Sequence, residues 1–206
     1  MIVPPKNATD AISSYVTDML SLESHIEKAI RSQIQDLKDY PDFTNVVREF
    51  HRKVEHHISD LKELADRREA TGAVEAIKRA GATVAGVAAG IIDLVRTEGL
   101  PKNLRDDYTA FNLASIGYLM LHTTATSLGD RETADLARQH YADYADVIMR
   151  LSRVVPASVV LYLQAEGLPA REDTLSEVNR TVENAWRGEP GTTQPTGTTT
   201  PFSPSA

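Results

Sequence analysis

NLRDDYTAFNLASIGYLMLHTTATSLGDRETADLARQHYADYADVIMRL, residues 103–151, carries two apolar stripes at helical spacing on either side of one short turn. Phe111, Ala114, Tyr118, Leu121, Ala125 and Leu128 recur every three or four residues, and so do Leu136, His140, Tyr144, Val147 and Leu151. Gly129-Asp130 stops the first helix and restarts the second from about Arg131. A turn this short makes the two helices antiparallel neighbours. Pro156 is expected to kink or end the second of them, with a short apolar helix following up to Gly167.

The same pattern lies upstream. A helix over about 10–39 has Ile12, Tyr15, Met19, Leu22, Ile26, Ile30, Ile34 and Leu37 as its inward stripe. Tyr40-Pro41-Asp42 breaks it, because proline disfavours a helical residue before it. A second helix over about 41–68 turns Phe43, Val47, Phe50, Val54, Ile58, Leu61 and Ala65 inward. Thr71-Gly72 ends that helix, and residues 73–98 read as a small-residue helix crossing to the second hairpin. Alternation of period two, the mark of strands, is nearly absent.

The expected fold is therefore all-α. Two antiparallel helical hairpins joined by a long crossover are the plan of a ferritin-like four-helix bundle, here over residues 1–170 with an extra helix in the crossover. Residues 171–187 add a C-terminal amphipathic helix, with Leu175, Val178, Val182 and Trp186 on one face and Thr174 as its N-cap. From 188 to 206 the chain is rich in Pro, Thr, Gly and Ser, a composition that does not bury enough apolar surface to order itself.

The totals narrow the function. A net charge of −7 disfavours general nucleic-acid binding. The absence of cysteine excludes disulfides, thiolate metal sites, iron–sulfur clusters and cysteine nucleophiles. The N-terminus lacks the charged segment and apolar run of a signal peptide, and the most apolar stretch, 83–92, is shorter than the roughly 20 residues a membrane span needs. A cytoplasmic protein without membrane or nucleic-acid partners is expected. No nucleophile elbow, phosphate-binding loop or zinc-hydrolase motif stands out, so no enzymatic reaction is assigned.

Half of the six histidines fall in REFHRKVEHHISDLKELADRRE, residues 48–69. A di-metal helical bundle takes one Glu from each of two helices and a Glu-x-x-His pair from each of the others. Helix one offers Glu23 among apolar neighbours. Helix two offers His57 inward, with Lys53 four residues before it, while His51, Glu55 and His56 fall on the outer flank as a solvated set. Helix three offers no ligand. Helix four offers His140 and Asp143, which either ligate or hydrogen-bond each other. The inner polar set is thus Glu23, Lys53, His57, His140 and Asp143, and Glu23, His57, His140 and Asp143 are the candidate metal ligands. They suit one iron, manganese or zinc ion and are too few for a di-iron centre. Lys53 argues against metal. Alternatively, it supplies the positive charge a metal would have brought, paired with Glu23 or Asp143.

These residues carry a resemblance. The leading Arg105-Asp106, central Gly117-Tyr118, Leu128-Gly129 turn and ETADL at 132–136 resemble the second hairpin of the YciE/YciF-type ferritin-like proteins. LSLESHIEKAI at 20–30 and HISDLKELADRRE at 57–69 resemble that family's first helix and the end of its second, so the likeness spans about 12–155. It implies a bacterial, cytoplasmic, dimeric, stress-associated protein with a carboxylate/histidine metal site. Under it Glu23 falls on the first-helix glutamate, His57 on a second-helix histidine and Lys53 on the second-helix glutamate. Phe111-Asn112-Leu113-Ala114 falls on the ligand run of the third helix and Asp143-Tyr144 on the acidic pair of the fourth. The metal-ligand pattern is degenerate under this alignment.

Three functions follow as expectations. The first is a ferritin-like structural or interaction module with a lost metal site. The second is a metalloprotein holding one ion, with oxidase or peroxide-handling chemistry. The third is a scaffold or cargo protein recruited by a protein partner through its C-terminal tail.

Overall fold

The computed structural model describes residues 7–70 and 99–188. The predicted crossover helix at 73–98, the apolar stretch at 83–92 and the tail from 189 onward lie outside the described residues. Within them the chain is all-helical: α1 (Ala8–Asp36), α2 (Pro41–Ala70), α3 (Leu100–Ser127), α4 (Arg131–Ala165), a 3-10 turn (Glu172–Thr174) and α5 (Leu175–Arg187). No helix among them is long and apolar enough to cross a membrane.

The turns follow from local chemistry. Asn7 Oδ1 accepts from the Asp10 amide at 2.8 Å and starts α1. Asp130 starts α4 in the same way, accepting from the Thr133 amide at 3.0 Å. Gly129 before it takes φ +79°, a left-handed conformation that costs glycine little.

Four long helices share one core. α1 packs on α2 and α3, and α4 packs on α3 and α2. Cross-helix pairs give the directions. His51 meets Glu27 while His57 meets Glu23, so α1 and α2 run antiparallel. Gln33 meets Asp107 while Glu23 meets Tyr118, so α1 and α3 also run antiparallel. Glu49 meets Arg150 and Arg67 meets Glu132, which makes α2 and α4 antiparallel. α1 and α4 are therefore parallel across the diagonal, as are α2 and α3.

Val16, Met19, Ile26, Ile30, Val47, Phe50, Val54, Leu61, Leu104, Phe111, Leu121, Val147 and Leu151 fill the core. Each large apolar side chain buried this way contributes about 1.5–3 kcal/mol. Phe50 meets Phe111 edge to face at 5.8 Å. A Cβ on Gly117 would lie 2.5 Å from Met19 Sδ, so glycine lets the movable end of the α1 methionine seat against α3.

Four expectations need correction. The α1 stripe is rotated: Val16, Glu23 and Glu27 are buried where Tyr15, Leu22 and Ile34 are only partly so. Leu128 is exposed, since it sits past the last turn of α3. Pro156 neither ends nor splits α4, which runs unbroken to Ala165. Proline there removes one backbone hydrogen bond, and Leu151, Val154, Val155 and Leu161 hold the segment against the core. Thr174 caps nothing with its side chain; its hydroxyl donates backward to the Arg171 carbonyl at 2.7 Å.

Candidate functional site

The middle of the core is polar. Glu23 of α1 is fully buried, and a buried carboxylate needs donors or a proton. Tyr118 of α3 donates to Glu23 Oε1 at 2.6 Å, and Tyr144 of α4 donates to Glu23 Oε2. His57 Nδ1 of α2 lies 3.3 Å from Glu23 Oε1. All four long helices therefore meet on one carboxylate. Burial first, and the Glu23 charge second, push both tyrosine hydroxyls well above the usual phenol range, so they remain donors.

His57 links Glu23 to the side of the core. Its Nε2 lies 3.3 Å from Asp143 Oδ2, and Lys53 Nζ donates to Asp143 Oδ1 at 2.8 Å. Both ring nitrogens of His57 face carboxylate oxygens, and only the imidazolium form donates to both. Burial would raise the Asp143 carboxyl, but the hydrogen bonds from Lys53 and His57 outweigh it and hold it below the usual range.

His140 stacks on His57, with ring centroids 3.8 Å apart and planes 17° apart. Two stacked imidazoles this close do not both hold charge. His140 is pushed down from 6.5 to about 4, by burial first and by the charge of His57 second, against the pull of Asp60. It is neutral at pH 7. Its Nε2 lies 3.1 Å from Asp60 Oδ2, and its Nδ1 has no hydrogen-bond partner among the described residues.

The structure thus brings Glu23, His57, His140 and Asp143 into one layer, with Lys53 beside them. It does not aim them at one point. The His57 ring stands between Glu23 and Asp143, the His140 nitrogen turns to Asp60, and both Glu23 oxygens are taken by tyrosines. These residues do not fit a shared metal ion in this arrangement. His140 and Asp143 are not each other's partners, because Asp60 and Lys53 of the facing helix reach them first.

Sequence reasoning missed three participants. Tyr118 and Tyr144 read only as apolar stripe members, although a buried tyrosine hydroxyl ordinarily seeks an acceptor, and Glu23 was the buried acceptor available. Asp60 gave no sign, since its role depends on the register between α2 and α4. On the flank, His56 is exposed as expected, with 60% of its side chain accessible. His51 is not: only 14% of its side chain is accessible, and its Nε2 lies 2.6 Å from Glu27 Oε1. The rotation of α1 that buries Glu27 is the reason.

Comparison with family models, with curated proteins and with solved structures gives no match. The likeness to the YciE/YciF-type proteins rests on the quoted residues alone.

Proposed function

We propose that the protein is a ferritin-like helical protein, akin to the YciE/YciF type, whose inner metal centre is degenerate. It acts as a stress-associated structural and interaction module and works as a homodimer. The observation that carries this reading is the pair of Lys53 with Asp143, 2.8 Å apart, beside His57. An ammonium stands where the family alignment expects an acidic ligand, and it supplies positive charge to the carboxylates of this layer. The helix directions, antiparallel within each hairpin and parallel across the diagonals, agree with the ferritin-like plan.

The interaction role is supported by apolar side chains left outside. Leu113, Ile116, Leu119 and Met120 lie along one outer face of α3, and 54% of Ile116 is accessible. Such a face at helical spacing suits a second copy of this chain.

One experiment tests both halves. The purified full chain is loaded with iron, manganese or zinc, desalted, and assayed for metal and mass in wild type, Asp143→Asn and Ile116→Glu. A dimer that Ile116→Glu splits into monomers, with no bound ion that depends on Asp143, is expected. An ion released by Asp143→Asn would instead favour the single-ion metalloprotein.

A further inference from the structure

The flank of the α1–α2 hairpin holds a second polar cluster, separate from the Glu23 layer. Glu27 sits one turn beyond Glu23 on α1 and is buried at the inner edge of that helix. His51 and Glu55 lie one turn apart on α2 and face it. One ligand atom from each of Glu27, His51 and Glu55 lies within 4.8 Å of the others. Among the described residues, the Glu23 layer shows no comparable convergence.

We propose that Glu27, His51 and Glu55 form a binding site for one divalent cation of the zinc type. The donor set is one imidazole and two carboxylates, which suits zinc with water in the remaining position. The spacing is close to what an ion requires. Nitrogen and oxygen ligands about 2.0–2.1 Å from a tetrahedral ion stand about 3.4 Å apart. His51 Nδ1 and Glu55 Oε2 are already 3.4 Å apart, while Nε2 of the same ring meets Glu27 Oε1 at 2.6 Å, so side chains must turn to bring all three groups to one nitrogen. The ion takes one ring nitrogen of His51, and Glu55, half of whose side chain is exposed, turns to close the site.

The present partners of Glu27 occupy its oxygen and must yield to an ion. Its Oε1 accepts from Arg31 Nε at 2.7 Å, with Arg31 Nη2 at 2.6 Å, and His51 Nε2 crowds the same oxygen at 2.6 Å. Arg31 approaches from the water side with 62% of its side chain exposed, so it can swing away when an ion arrives. Glu27 and His51 are mostly shielded from water, which makes their attraction for an ion stronger than at an open surface. The neighbouring His56–Asp60 pair is a poorer candidate, since it has two ligands and an exposed histidine.

The test is zinc titration calorimetry on the chelator-stripped full chain, with helicity checked by circular dichroism. Expected are one zinc per chain, affinity weakened about tenfold or more in Glu55→Gln and in His51→Asn, and no change in His56→Asn. Glu55 is half exposed, so Glu55→Gln leaves the fold intact and keeps the test usable if His51→Asn does not. The inference is overturned if the wild type takes no zinc, or if Glu55→Gln binds zinc as tightly as wild type. None of these variants touches Asp143, so failure here is distinct from failure of the proposed function.

Discussion

Two buried carboxylates face the same core and are treated in opposite ways. Glu23 is met by two tyrosine hydroxyls and a histidine, drawn from three other helices. Asp107 of α3 is met by one group, Gln33 Nε2 of α1, at 2.7 Å. Asp107 Oδ2 and Gln33 Oε1 have no partner among the described residues. Burial pushes Asp107 up from 3.8 to about 7; the Gln33 hydrogen bond only partly opposes this, and the Asp106 charge adds to it. The contrast shows that burial alone does not decide how well a carboxylate is satisfied. The number of donors that the neighbouring helices bring to it does.

The largest expected effect comes from removing the satisfied carboxylate. Glu23→Ala leaves Tyr118, Tyr144 and His57 facing an apolar gap, and breaking a buried charged network costs about 3–5 kcal/mol. Urea unfolding at pH 7 measures it. A loss below about 1 kcal/mol would mean that Glu23 is no better placed than Asp107, and the comparison would fail.

Asp107→Asn should act in the other direction, and increasingly so as pH rises. The folded state keeps the Asp107 proton up to about pH 7, whereas an unfolded aspartate loses it near 3.8. The folded state thus binds more protons between these values, and its stability falls as pH rises through that window. Above pH 7 the accumulated cost reaches up to about 4 kcal/mol. Asparagine does not titrate and can pair amide to amide with Gln33. Its urea midpoint should therefore exceed that of wild type at pH 8.5, and by a clearly smaller margin at pH 5. Equal midpoints at both pH values would show that Asp107 is not held neutral.

His140 sharpens the comparison from the basic side. Its folded value is depressed from 6.5 to about 4, so the unfolded state binds more protons in that window. Stability is lost as pH falls from 6.5 toward 4, by up to about 3 kcal/mol. His140→Gln should flatten that part of the stability profile relative to wild type, as read from thermal unfolding at a series of pH values. An unchanged slope would assign the acid sensitivity to other groups.

Much of the helical plan was legible along the chain. Stripes at 3.6-residue spacing, Pro41 near the start of α2 and Gly129-Asp130 between α3 and α4 are local signals, and local signals survive without knowledge of the fold. Pro156 misled for the same reason. It is a local break signal, but packing of Leu151, Val155 and Leu161 outweighed the one lost hydrogen bond. Glu23, His57, His140 and Asp143 could be named as inner residues because each lies on or beside an apolar stripe. Their partners could not. A rotation of α1 by part of a turn decides whether Glu27 meets His51, and the register of α2 on α4 decides whether Asp60 or Asp143 faces His140.

The sequence by itself determined that this chain is helical, where its long helices turn, and that Glu23, His57 and His140 go inward. Those outcomes follow from periodicity, turn chemistry and the cost of exposing apolar stripes. Only the tertiary structure decided that Glu23 is held by tyrosines, that Lys53 serves Asp143, that Asp107 keeps its proton, and that Glu27 meets His51. Hydrogen bonds and ion pairs act over about 3 Å, and the sequence does not specify helix rotation and register to that precision.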